Sequence, residues 1–357
     1  MSVWHLSYEG FDPEQEGLRE ALCTLGNGYF ATRGAGEETR ADDVHYPGTY
    51  LAGGYNRRET EIAHHKVENE DLVNMPNWLP LSLRVAGEDW IDFRRVELLD
   101  YHQQLDLKRG ILQRNIRFRD REGRVSQYRS RRLVHMDSPH LAALEATLLP
   151  ENWSGRIQIR SALDGRVIND NVARYRPLES RHLEPLEARA INGGMLLRVR
   201  TNQSHIEVVQ AARTRVECDG RQAPPPVTAP GEDAYVAQFF DCRAAEGHPI
   251  TIEKTVALFT SRDPAISECG LAAVKELDRA EHFESLARRH AGLWYHLWQR
   301  FDLALEGPDE EQTSHTSLVL HLHLFHILQT ASPNIMGLDV GVPARGLHGE
   351  AYRGHIF

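Results

Sequence analysis

Cysteine is scarce in this chain. The four present, Cys23, Cys218, Cys242 and Cys269, lie far apart and none forms a Cys-x-x-Cys pair. Neither a zinc-finger spacing nor a disulfide framework is therefore read. Basic charge is also short: 41 Lys and Arg stand against 51 Asp and Glu, for a net charge of −10. A binder of phosphate backbones needs a basic face, so no nucleic-acid partner is expected. No run approaches the ~18 apolar residues of a membrane span, so no membrane partner is expected either. The opening MSVWHLSYEG shows no basic n-region followed by an apolar run. A cytoplasmic location with free thiols is the expectation. What remains, at 41% hydrophobic and 357 residues, suits a soluble globular protein of about two domains.

Up to about residue 265 the pattern is strand-like. LSLRVAG (81–87), RIQIRSAL (156–163), GMLLRVRT (194–201), HIEVVQAART (205–214) and ITIEKTVALFT (250–260) alternate apolar and polar residues. Period 2 marks strands with one buried face. Many such strands, bounded by turn clusters and without long helices between them, predict a large antiparallel β-sandwich. GRQAPPPVTAPGED (220–233) reads as a loop, because consecutive prolines remove ladder donors.

Near residue 266 the period changes. Val274, Leu277, Phe283, Leu286, Leu293, Leu297 and Phe301 recur at helical spacing over 271–301. One long helix is predicted there, or two with a break near Gly292. DEEQTSHTSLVLHLHLFHIL (309–328) follows and is apolar nearly all round from Leu318 to Leu328, apart from three histidines. Such a helix needs neighbours on every side. The expected organisation is a β-sandwich over 1–265, a helical linker over 266–307, and the opening of an all-helical domain over 308–357.

Several stretches carry candidate chemistry. TLGNGYFATRG (24–34) is glycine-rich but lacks the G-K-[ST] ending of a phosphate loop, and Asn27-Gly28 is a hairpin turn pair. In HLHLFH, His323 and His326 share a helix face while His321 points elsewhere. Two ligands do not make a metal site, so none is expected and the histidines are read as packing residues. Asn74, Asn77 and Trp78 in NEDLVNMPNWLPL suit either a sugar-stacking surface or a well-packed turn, and the turn is preferred. In the closing PARGLHGEAYRGHIF, Arg345, Glu350, Tyr352, Arg353 and His355 are broken by glycines that permit close backbone approach. On residue chemistry alone this is equally a polar pocket or a charged surface loop.

The run SLVL…ILQTAS…LDVGVPARGLHGEAYRGHIF resembles the start of the catalytic domain of glycoside hydrolase family 65, which includes maltose, trehalose and kojibiose phosphorylases and some hydrolases. LGNGYFATRGAGEE, YPGTYLAGGYNR, EDLVNMPNWLPL, NWSGRIQIRSALDGRVIND and LFTSRD are similar to markers of that family's N-terminal domain, in the same order. The resemblance covers nearly the whole chain. It implies a mainly β N-terminal sandwich, a helical linker and the beginning of an (α/α)6 barrel. It implies an inverting phosphorylase that cleaves an α-linked glucosyl disaccharide. A carboxylic acid protonates the glycosidic oxygen while inorganic phosphate, the co-substrate, attacks the anomeric carbon from the opposite face. A hydrolase would instead need a second carboxylate to activate water. No cofactor is implied, and a homodimer is allowed. The family's general acid lies further along the barrel and is expected beyond Phe357, so no catalytic residue is assigned. The chain is expected to be the first part of a longer enzyme, inactive by itself. Arg345, Glu350, Tyr352, Arg353 and His355 stand where the family builds its sugar pocket and are its substrate-binding candidates. The alternatives are a family 65 hydrolase of the trehalase kind, or a stand-alone carbohydrate-binding or interaction protein.

Overall fold

A computed structural model describes residues 2–172, 176–229, 231, 233–338, 340–343 and 346–350. The alternating segments form two main sheets, antiparallel throughout. The larger has ten strands. From one edge it runs His5–Glu9, Glu97–Asp106, Ile111–Arg119, Val125–Val134, Leu141–Pro150, Ile250–Thr260, Glu207–Cys218, Gly194–Thr201 and Leu183–Ile191, with Arg221–Gln222 pairing off Glu207–Cys218. The smaller runs Val227–Thr228, Tyr235–Ala244, Gly155–Asp164 and Leu81–Val85.

The period-2 pattern places Ile157, Ile159, Val236 and Phe240 of the small sheet against Met195, Leu197, Val208 and Val216 of the large one, in a single apolar cluster. Polar groups cross this layer only when satisfied. Thr214 Oγ1 donates to Ser161 Oγ (2.8 Å), and Lys254 Nζ donates to Ala162 O (2.7 Å) and Pro80 O (3.1 Å). Lys254 is fully buried, and burial holds its amine well below the usual lysine range.

Alternate residues of the large sheet are buried on its other face by helices. Leu196, Val209, Ala211 and Ala257 pack with Ala273 and Leu277 of one helix and Phe283 and Leu286 of the next. A short helix near the N-terminus, which the periodicity did not announce, is α1 (Glu16–Leu22); α2 (Cys269–Arg279) and α3 (Phe283–Phe301) follow the sandwich, and α4 (Glu310–Leu328) comes last. Glu268 caps α2 by accepting from the Gly270 and Leu271 N–H groups (2.8 and 2.7 Å).

The predicted break near Gly292 is not there. α3 runs through Gly292, which is exposed and has open space around it. The break falls at Ala280–His282, where Arg213 of the large sheet donates to Leu277 O (2.7 Å) and Ala280 O (3.1 Å), taking up the last carbonyls of α2. The anchors of α3 also differ from the expected list: Trp294 and Trp298 are buried whereas Phe301 is 45% exposed.

α4 buries Ser317, Leu318, His321, Phe325 and Leu328, with Val319 and Ile327 exposed. Phe325 stacks on Trp294 at 4.6 Å. His321 bonds Val3 O (2.8 Å) and Asp302 (3.0 Å) and stacks on Trp4. His326 donates from Nε2 to Leu22 O (3.1 Å) and accepts at Nδ1 from Gln329 Nε2 (2.8 Å). These two histidines are thus spent on packing, as the spacing argument expected.

Candidate functional site

The glycine-rich stretch folds as a hairpin, Leu25–Gly26 against Phe30–Thr32, with Thr49–Leu51 as the next strand. Asn27 Oδ1 accepts from the Tyr29 and Phe30 N–H groups, and Gly28 takes φ +91°. The turn meets the segment after α4. Asn334 Nδ2 donates to Asn27 O (2.8 Å), and a Cβ on Gly28 would sit 2.5 Å from Ser332 Cβ. The N-terminal hairpin thereby fixes where the chain emerges from α4 toward residues 346–350.

Those residues are held from the sandwich. Leu347 is 3% exposed in a small apolar cluster with Ala31, Tyr50 and Leu72. Arg33, also 3% exposed, donates to His348 O (2.9 Å), Tyr46 O (2.9 Å) and Gly17 O (3.0 Å) and approaches Glu20 at 3.5 Å. One planar guanidinium thus ties α1, the 46–50 segment and the closing loop together. Glu20 completes the brace by accepting from the Tyr46 N–H (2.9 Å) and His45 Nδ1 (2.9 Å).

Glu350 is the centre of this arrangement. It is 3% exposed. Oε1 accepts from Tyr46 Oη (2.5 Å) and Tyr50 Oη (3.2 Å), and Oε2 accepts from the Asn171 N–H (3.1 Å). Tyr46 is itself fixed: its oxygen accepts from the Asp170 N–H (2.9 Å) and Asn74 Nδ2 (3.3 Å), and Ile168 O lies 2.7 Å away. The phenol has one hydrogen for two acceptors, Glu350 and Ile168 O. Ile168 O has a second donor in Asn74 Nδ2 (3.3 Å), which leaves the phenol hydrogen for Glu350. Burial raises the Glu350 carboxyl to about 7, with the charge of Asp71 adding to it, against the opposing bonds from Tyr46, Asn171 and Tyr50. A shift of this kind occurs at functional positions and in buried structural networks alike.

Of the five residues predicted for the sugar pocket, Glu350 lies in this cluster; Arg345, Tyr352, Arg353 and His355 lie outside the described residues. The 69–81 stretch takes the turn reading. Trp78 is buried with Nε1 donating to Thr32 Oγ1 (2.8 Å), and Asn77 pairs with Asp164 through the backbone. Its Asn74 does more, since it orients Tyr46. Sequence reasoning did not single out Tyr46, Tyr50, Arg33 or Asn171. Each sits in or beside a quoted marker: Arg33 in FATRG, Tyr46 and Tyr50 in YPGTY, and Asn171 just after VIND.

The profile of glycosyl hydrolase family 65, N-terminal domain, matches residues 6–297, and that of the family's central catalytic domain matches 321–357. An uncharacterized glycosyl hydrolase of Mycobacterium tuberculosis is 42% identical over 99% of this chain, which spans 26% of that protein. Kojibiose phosphorylase of Caldanaerobacter subterraneus is 27% identical and trehalose 6-phosphate phosphorylase of Lactococcus lactis 28%, each over 99% of this chain and 44% of the relative. The chain thus spans less than half the length of these relatives. A solved structure assigned as a kojibiose phosphorylase from the human microbiome superposes with a TM-score of 0.81 at 20% identity, over all of this chain and 45% of the other. With the N-terminal-domain profile matched over most of its length, this chain belongs to glycosyl hydrolase family 65.

Proposed function

We propose that the chain is the N-terminal portion of an inverting disaccharide phosphorylase that cleaves an α-linked glucosyl disaccharide with inorganic phosphate and without a cofactor. The division proposed is a sandwich over 1–265, a helical linker over 266–307 and the start of an (α/α)6 barrel over 308–357. The observation that carries the reading is the clamp on Glu350. Tyr46, Tyr50, Arg33 and Asn171, all from the sandwich, fix the loop that leads into Tyr352, Arg353 and His355. Positioning of reacting groups to fractions of an ångström requires such a rigid mount. In this reading Glu350 serves the sugar pocket by holding its backbone, Arg345, Tyr352, Arg353 and His355 line it, and the general acid comes from a part of the enzyme other than these 357 residues. Relatives named kojibiose and trehalose 6-phosphate phosphorylases support phosphorolysis. The 42%-identical mycobacterial relative, named a glycosyl hydrolase, favours hydrolysis as the second reading.

The test is to express the whole reading frame and incubate it with kojibiose, trehalose and maltose, with and without phosphate. Glucose 1-phosphate formed only with phosphate supports the proposal. Glucose released at the same rate in both conditions assigns the hydrolase, and turnover of none of these, of trehalose 6-phosphate or of any other α-linked glucosyl disaccharide overturns both.

A further inference from the structure

We propose that the outer face of the four-stranded sheet carries a second binding site, for a phosphate-monoester anion, built on Arg40, Arg160 and Ser82, with Arg84 beside them. The proposal does not rest on phosphorolysis. Arg84 and Arg160 project from neighbouring strands onto the face opposite the sandwich core, in register with Gln158 and Ser82. Both guanidinium groups stack on Trp90, at 4.5 and 4.4 Å from the ring centroid. Two hollows meet here, of about 130 and 500 Å³, and they share Glu38, Thr39, Arg40, Ala41, Ser82 and Arg160 in their walls.

The walls hold carboxylates as well as arginines, but the pairing leaves particular guanidinium groups out. The carboxylates of the walls are mostly engaged elsewhere: Glu38 with Arg114 (2.8 Å), Asp92 with Arg94 (3.2 Å) and Asp164 with Arg166 (2.7 Å). Glu37 is likewise taken by Arg114 (3.2 Å), Asp42 by Arg94 (2.8 Å), and Asp89 is exposed. Among the described residues, no carboxylate pairs with Arg40, Arg84 or Arg160. Arg84 donates hydrogen bonds to the neutral Gln158 (2.6 and 3.0 Å) and Arg160 to Ser82 Oγ (3.1 Å). The buried Nε of Arg160 has no partner. Burial and the charges of Arg40, Arg84 and Arg166 work against its guanidinium, with Tyr235 opposing them. The Ser82 hydroxyl accepts from Arg160, and its own hydrogen has no acceptor among the described residues.

Uncompensated guanidinium groups crowded in a chain of net charge −10 call for an anion. Arginine's planar fork matches phosphate oxygens two at a time. Donors from Arg40, Arg160 and Ser82 outnumber the two oxygens of a carboxylate and suit the three of a phosphate ester. The larger hollow leaves room for an organic group attached to it.

Isothermal titration of the 357-residue chain in low-salt buffer tests this with inorganic phosphate, glucose 6-phosphate and glucose. Phosphate and its ester are expected to bind while glucose does not. The Arg160→Gln and Arg40→Gln variants should each weaken binding at least tenfold. Tighter binding of glucose 6-phosphate would assign the site to an ester, and equal binding to the inorganic ion. Arg40 is exposed, so its variant reports on the site even where Arg160→Gln alters folding. No heat with either anion, or binding undiminished in both variants, overturns the proposal. So does self-association that both variants abolish without any phosphate effect, because the arginines then answer a second copy.

Discussion

Glu350→Gln isolates the proton economy of the clamp. In the unfolded chain this carboxyl titrates near its ordinary value of 4.5, and in the folded chain burial carries it to about 7. The folded form therefore keeps a proton that the unfolded form has released. The stability it confers is full below 4.5, falls as pH rises toward about 7 and is flat above. At ~1.4 kcal/mol per pH unit the span amounts to roughly 3 kcal/mol, to order of magnitude. At 3% exposure little solvent screening reduces it.

Glutamine is neutral throughout and has nearly the same shape. Its amide donates to Tyr46 while its oxygen accepts from Asn171, so the variant carries the proton pattern of the neutral acid, at a pH-independent cost because the Tyr50 hydroxyl loses its acceptor. Urea unfolding of both proteins at about pH 5 and about pH 8 gives the comparison. The wild type is expected to match or exceed the variant at the lower pH, and the variant to overtake it at the higher one. Where the loop releases before the fold does, the same crossing appears in proteolytic sensitivity of residues 346–350. A variant-minus-wild-type difference that stays constant over this range would refute the account of Glu350.

Tyr46→Phe removes the hydroxyl that serves Glu350, Asp170 and Asn74 together. It should cost about 1–3 kcal/mol by leaving the Asp170 N–H unpaired, and it should move the Glu350 transition to higher pH because a bond to the carboxylate is lost. Gly110→Ala puts a Cβ at φ +65° into the Trp294 ring, so calorimetry should show a loss of more than about 2 kcal/mol as α3 is pushed off the sheet. For Lys254 the folded value is depressed, so the folded state disfavours the proton and wild-type stability should climb as pH rises toward the ordinary lysine value of 10.5; Lys254→Met should flatten that slope in unfolding curves taken across the alkaline range. The exposed Val319 and Ile327 of α4 should drive concentration-dependent association of the 357-residue chain, which Val319→Lys with Ile327→Lys should abolish in sedimentation without lowering Tm.

Much of the sandwich was legible because one-sided burial writes itself as alternation. RIQIRSAL announces Gly155–Asp164, since Ile157, Ile159 and Ser161 face inward and Gln158 and Arg160 outward. The helical stretch was read in its period but not in its break. The spacing carries no trace of Arg213, which comes from a strand more than fifty residues earlier to end α2. Trp294 and Trp298 fell outside the expected stripe because α3 turns a second face toward α4 and the N-terminus, and only tertiary packing shows that face.

The clamp shows why the site itself was the least legible part. Glu350 was visible as a candidate from its glycines, yet the same stretch read equally well as a charged surface loop. Its partners decide between the two, and they lie some three hundred and one hundred and eighty residues away in sequence. No local rule links a tyrosine after a histidine at position 45 to a glutamate at 350. The link is a product of topology. The hairpin at 25–32 sets the exit from α4, Arg33 sets the height of the loop, and Tyr46 and Tyr50 then receive the carboxylate. A sandwich bonded in this way to the opening of the helical part is no detachable appendage. Loosening Arg33, for instance by Arg33→Lys, should therefore weaken the pocket-side loop before it unfolds the sheets, because a single ammonium cannot reach Gly17, Tyr46 and His348 in one plane.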